Sequence, residues 1–183
     1  MFTLYNIAAY QAVWFACVLT AANGAAWMGI VLALIVVGVH VALAANIALE
    51  FKLIGAAIAI GLLVDSALTR SGQIAFAAGA WADGWAPWML ALWAAFATTL
   101  NHSLRWLMDR RVLAAMMGAV GGPLAYLAGA KLGALQIPSP ETALPFIAVA
   151  WAAAMFGLSI VAARVRPKAA QPAPVDARRQ PSS

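Results

Sequence analysis

Two histidines, His40 and His102, are the side chains here best suited to chemistry near neutral pH, because imidazole changes charge in that range. Both sit among apolar residues, and each has polar neighbours at helical spacing. Thr98, Asn101, His102, Arg105 and Asp109 step by three, one, three and four, which predicts a single polar face on one helix. Asn46 and Glu50 follow His40, His102 lies at about the depth of His40, and Asn6 and Gln11 lie in the inner half of the first helix. The predicted cluster is Gln11, His40, Glu50, Asn101, His102 and Arg105. Its functional reading is a binding or proton-handling site with the two imidazoles as its titrating members. The plainer reading is that these groups hydrogen-bond helices together, with Glu50 and Arg105 as an ion pair at the membrane boundary. That reading is favoured, because no second carboxylate lies at that depth. Two histidines and a glutamate are able to coordinate zinc. No HExxH and no Cys/His spacing is present, however, so no metal and no cofactor are assigned.

Asp65 stands apart, about 20 Å along its helix from Lys52 at 1.5 Å per residue. Thr69, one turn on, and Arg70 at the boundary are its expected partners, as a structural contact on the outer side. Gly121, Gly122 and Pro123 predict a kink, since proline removes the bond to the Ala119 carbonyl and the glycines let the backbone bend. Gly118-x-x-x-Gly122 and Gly129-x-x-x-Gly133 also suit close helix contact. No nucleophile stands beside a base in sequence and no glycine loop follows a strand, so no catalytic residue is assigned. Ser66, Ser103 and Cys17 read as small packing residues.

The elements that hold these groups are membrane helices. Hydrophobic residues make up 65% of the chain and charged residues 9%, too apolar for a soluble fold whose outer faces meet water. A spanning helix needs about 20 mostly apolar residues. Six stretches qualify, from about Leu4 to Ala22, Trp27 to Asn46, Lys52 to Thr69, Pro87 to Leu107, Val112 to Leu132 and Leu144 to Ala163. The segment from Ile74 to Trp81 is too short to span and reads as interfacial or re-entrant. Met1 to Leu4 holds no Lys or Arg, so the first stretch reads as a retained helix rather than a cleaved signal. The fold expected is an all-α polytopic membrane bundle over residues 1–163, followed by a disordered basic tail over 164–183.

Placing the N-terminus in the cytoplasm puts nine of the 11 Lys and Arg residues inside and leaves only Arg70 and Lys131 outside. That asymmetry predicts both termini inside and six spans. Trp27, Trp81, Trp85 and Trp88 collect at the outer boundary, where indoles settle, and Trp106 at the inner one. The net charge of +5 is therefore a topology signal, and nucleic acid is not an expected partner. The one cysteine, Cys17, excludes an intrachain disulfide.

The stretches Gln11-Ala-Val-Trp14-Phe-Ala-Cys17, Gly61-Leu-Leu-Val-Asp65-Ser, Phe96-Ala-Thr-Thr-Leu-Asn-His102-Ser-Leu-Arg-Trp106 and Gly122-Pro-Leu-Ala-Tyr126-Leu-Ala-Gly129 together carry a family resemblance. The chain resembles a family of small bacterial inner-membrane proteins known as a domain of unknown function. The resemblance implies an address in the bacterial cytoplasmic membrane and tilts the reading toward a lipid-linked role. It carries no catalytic residues. The expected function is a non-catalytic protein that binds membrane lipids or a membrane-protein partner. A small transporter or channel using the His40/His102 face, and a membrane-embedded lipid-modifying enzyme, are the alternatives.

Overall fold

A computed structural model describes residues 2–77 and 86–166. Seven helices and two short strands follow in the order α1 (Phe2–Ala22), α2 (Ala26–Ala42), α3 (Ile47–Arg70), β1 (Ala75–Phe76), α4 (Pro87–Leu100), α5 (Arg105–Met108), α6 (Arg111–Lys131), β2 (Leu135–Gln136) and α7 (Pro140–Val165). The fold is an all-α helical bundle. α1, α3, α6 and α7 are long and apolar enough to cross a membrane, while α2 and α4 are shorter apolar helices of 17 and 14 residues. Large apolar side chains such as Leu4, Leu34, Phe51, Leu63, Val120 and Val149 stand exposed around the bundle, where lipid rather than water would cover them. The chain is a membrane protein.

Several boundaries differ from expectation, each for a local reason. α2 stops at Ala42 because Asn46 does not extend it. Instead Asn46 caps α3, its side chain accepting from the Leu49 N–H at 3.0 Å, so α3 starts five residues before Lys52. His40 therefore lies in the last turn of α2, and Glu50 lies in the first turn of α3. The fourth stretch does not run unbroken to Leu107. The hydroxyls of Thr98 and Thr99 turn back onto the carbonyls of Ala95 and Phe96, both at 2.7 Å, and the helix ends at Leu100. A turn over residues 101–104 then leads into α5. A single polar face from Thr98 to Asp109 therefore does not exist.

α4 is the central helix. It packs against α1, α2 and α3, and all its residues except Pro87, Leu90 and Phe96 are buried. At 1.5 Å per residue it is about 21 Å long, shorter than the roughly 30 Å hydrocarbon core, and its neighbours shield the end turns from lipid. α6 and α7 form a tight pair that joins the rest mainly through α3. Gly118 and Gly122 allow this closeness. A Cβ on either would run into Trp151 or Met155 of α7, whereas Gly121 faces open space. α6 continues through Gly121, Gly122 and Pro123 to Lys131.

The bundle has two unlike ends. At one, α1, α3 and α6 each finish in a glycine at positive φ: Gly24 (73°), Gly72 (70°) and Gly133 (86°). Each carries the paired backbone bonds of a Schellman turn, namely Ala25→Thr20 and Gly24→Ala21, Gln73→Leu68 and Gly72→Thr69, and Ala134→Gly129 and Gly133→Ala130. β1 and β2 pair antiparallel there, with Ala75 opposite Gln136 and Phe76 opposite Leu135. The strand pair and buried Ile74 account for part of the segment read as interfacial or re-entrant; its remainder, including Trp81, lies outside the described residues. Trp85 lies outside them too. Trp88, in the first turn of α4, is buried against Phe76, whereas Trp27 and Trp106 are exposed. The other end holds the starts of α1 and α3 and the ends of α2, α4 and α7, together with most of the polar side chains.

Candidate functional site

Glu50 is the centre of the polar end. It is 4% exposed, and three side chains from two other helix ends converge on its carboxylate. His40 Nε2 lies 3.1 Å from Oε2, His102 Nε2 lies 3.7 Å from Oε1, and the Asn101 amide donates to Oε1 at 3.4 Å. The imidazoles meet edge to face, with centroids 4.8 Å apart. The break after Leu100 makes this possible, because the turn carries Asn101 and His102 over the start of α3. His40 comes from the end of α2. The nearest ligand atoms of His40, Glu50 and His102 all lie within 4.8 Å of one another, so these three are the described residues able to hold a metal ion.

A second layer holds this group. Arg166 donates through Nε to Asn101 Oδ1 at 3.3 Å and also pairs with Asp109. Asn6 donates to the Thr98 carbonyl at 3.2 Å and accepts from the Ser103 hydroxyl at 2.7 Å, tying α1 to the turn. Two expected members are not part of the cluster. Gln11 is exposed on α1, on the side away from Asn6: five residues amount to about 140° of rotation at 3.6 residues per turn. Arg105 is exposed in α5 and makes no ion pair with Glu50, whose charged neighbours among the described residues are the two histidines. Arg166 was hidden by its place in the stretch assigned to the tail. α7 runs to Val165 and delivers it. The remainder of that tail, residues 167–183, lies outside the described residues.

A cleft of about 130 Å³ opens beside the cluster between α1, α2 and α4. His40, His102, Asn6 and Thr98 supply its polar wall, and Val36, Val39 and Leu43 its apolar one. Its rim includes Tyr5, Val39 and Leu43, all exposed.

Asp65 forms a separate centre nearer the glycine end. It is 1% exposed and accepts from Trp93 Nε1 of α4 at 3.0 Å and from the Tyr126 hydroxyl of α6. The expected partners are corrected. Thr69 donates to the Asp65 backbone carbonyl at 2.9 Å, as a helical threonine does, and Arg70 is exposed without an ion pair among the described residues. Trp93 stacks on Trp151 of α7 at 4.6 Å, and with Tyr10, Trp14, Phe96 and Tyr126 they line a partly open cavity of about 50 Å³. That is room for a few water molecules. Tyr126 and Trp93 were missed because aromatic donors on other helices leave no spacing signal around an aspartate.

Residues 3–157 match the family described as a protein of unknown function (DUF2878), and the chain belongs to that family. Comparison with curated proteins gives no match, and comparison with solved structures gives none.

Proposed function

We propose that this member of a family of unknown function is a six-span protein of the bacterial cytoplasmic membrane, with both termini in the cytoplasm, and that it binds a membrane lipid without transforming it. The cleft beside His40 and His102 carries the reading. A polar wall of imidazoles, amide and hydroxyl continues into an apolar wall of Val36, Val39 and Leu43, which suits a headgroup and the first part of an acyl chain. The exposed rim supports entry sideways from the bilayer rather than from water. The orientation is supported by the basic residues, since among the described residues Lys52, Arg105, Arg110, Arg111, Arg164 and Arg166 gather at the polar end of the bundle and only Arg70 and Lys131 at the other.

The test is native mass spectrometry of the protein released from detergent. Wild type is expected to retain a lipid, and Val36→Trp, which fills the cleft, is expected to lose it. Val120→Trp, on the exposed face of α6, is expected to retain it. Absence of retained lipid in wild type, or equal retention in all three, overturns the reading. A water-soluble solute bound in place of lipid would turn it toward transport.

A further inference from the structure

His40, Glu50 and His102 stand in an arrangement that a network of hydrogen bonds does not explain fully. One imidazole N–H satisfies the 3.1 Å contact between His40 and Glu50. The 3.7 Å separation between His102 and the same carboxylate is too long for a hydrogen bond, yet Nε2 of both rings approaches its two oxygens. Three groups from three different helix ends thus bring two imidazole nitrogens and a carboxylate to one point, and the His102 contact is left without a hydrogen bond to account for it.

We propose that these three side chains form a binding site for one divalent first-row transition-metal ion, zinc or ferrous iron. Around a tetrahedral ion with bonds of about 2.0–2.1 Å, ligand atoms stand about 3.3 Å apart. The two nitrogen–oxygen contacts, 3.1 Å to Oε2 and 3.7 Å to Oε1, lie near that spacing on the two oxygens of one carboxylate, and one ligand atom from each residue lies within 4.8 Å of the others. Two histidines and one glutamate form a ligand set used by such ions when a coordination position is left open. Here the open position falls to water or an anionic oxygen, because both imidazoles line the cleft while Glu50 lies behind them. The second layer fits as well. The Asn101 amide holds the carboxylate oxygen that faces His102, and Arg166 in turn holds Asn101. Supporting groups of this kind orient metal ligands and raise affinity about 10–100-fold. An ion of charge +2 also compensates the buried Glu50 carboxylate.

The site stands on these residues alone and does not depend on lipid binding. The probe is Co²⁺, added to chelator-stripped full-length protein that carries no polyhistidine tag, in detergent without added lipid. Wild type is expected to bind one equivalent with visible d–d absorption, and elemental analysis of protein purified without chelator is expected to find one equivalent of zinc or iron. His102→Ala and Glu50→Gln are expected to abolish the absorption. Asn101→Ala is expected to weaken binding by about 10-fold. Gln11→Ala, outside the cluster, is expected to bind as wild type does. His102 is exposed, so His102→Ala tests the ligand even where Glu50→Gln fails to fold; far-UV helicity and a monodisperse elution establish folding for each variant. Absence of cobalt binding by wild type, or undiminished binding by folded His102→Ala, overturns the site.

Discussion

The indole of Trp93 donates to Asp65 at 3.0 Å, and the same ring occupies the space where a Cβ on Gly61 would stand. Gly61 and Asp65 are one turn apart on α3, so a missing side chain admits the ring and a carboxylate fixes its polar edge. Gly122 repeats the arrangement on α6, where Trp151 fills the space and Tyr126, one turn on, reaches the same carboxylate. Two glycines, two stacked indoles and one aspartate thereby join α3, α4, α6 and α7.

Removing the acceptor leaves two buried donors without a partner. Asp65→Ala is expected to cost about 1–3 kcal/mol for each such group, while Asp65→Asn, which keeps one acceptor oxygen, costs less. Thermal unfolding in detergent micelles reads the order wild type, Asn, Ala. Equal midpoints would show that the carboxylate does not tie the helices.

Glycines on one helix separate packing from propensity. Gly122→Ala is expected to lower the unfolding midpoint, because the new methyl meets Trp151 and overpacking of this kind costs about 1–3 kcal/mol. Gly121→Ala meets nothing and is expected to leave stability unchanged or raise it by up to about 1 kcal/mol, the helix preference of alanine over glycine. The same pair of melting curves in lipid nanodiscs checks the sign of each.

Cysteines at positions 40 and 102, in a Cys17→Ala background, are expected to crosslink with a short bifunctional reagent, since the native rings are in contact at 4.8 Å. The control pair, at 11 and 102, is expected not to react, because Gln11 faces outward. Reaction of the control pair at the same rate would show that α1 turns a different face to the cluster.

For topology, reporter fusions after Ala45, Asp109 and Arg166 are expected to report the cytoplasm, and fusions after Gly24, Gly72 and Gly133 the opposite side. A cytoplasmic signal at Gly72 would overturn the six-span arrangement.

The membrane character and the all-helical architecture of the bundle were legible because they rest on long apolar runs, and lipid imposes those on every exposed face. His40, Glu50, Asn101 and His102 were legible as one polar group because polar residues in an apolar chain must find one another. Their partners were less so. Arg105 reads as the partner of Glu50 only if α4 is unbroken, and the back-bonding of Thr98 and Thr99 ends it first. Gln11 was preferred over Asn6, although the two cannot share a face. HExxH spacing tests for two ligands on one helix. It has no power where three helix ends deliver one ligand each.

The three glycine turns have a mechanical consequence. At their end of the bundle the three glycines turn the chain through paired backbone hydrogen bonds at positive φ. At the opposite end the α2–α3 and α4–α5 connections contain no glycine, and side-chain contacts hold them: Asn46 on Leu49, Glu50 on His40, Asn6 on Ser103. The two ends are therefore held by different means, one by backbone bonds about glycines and the other by contacts between side chains.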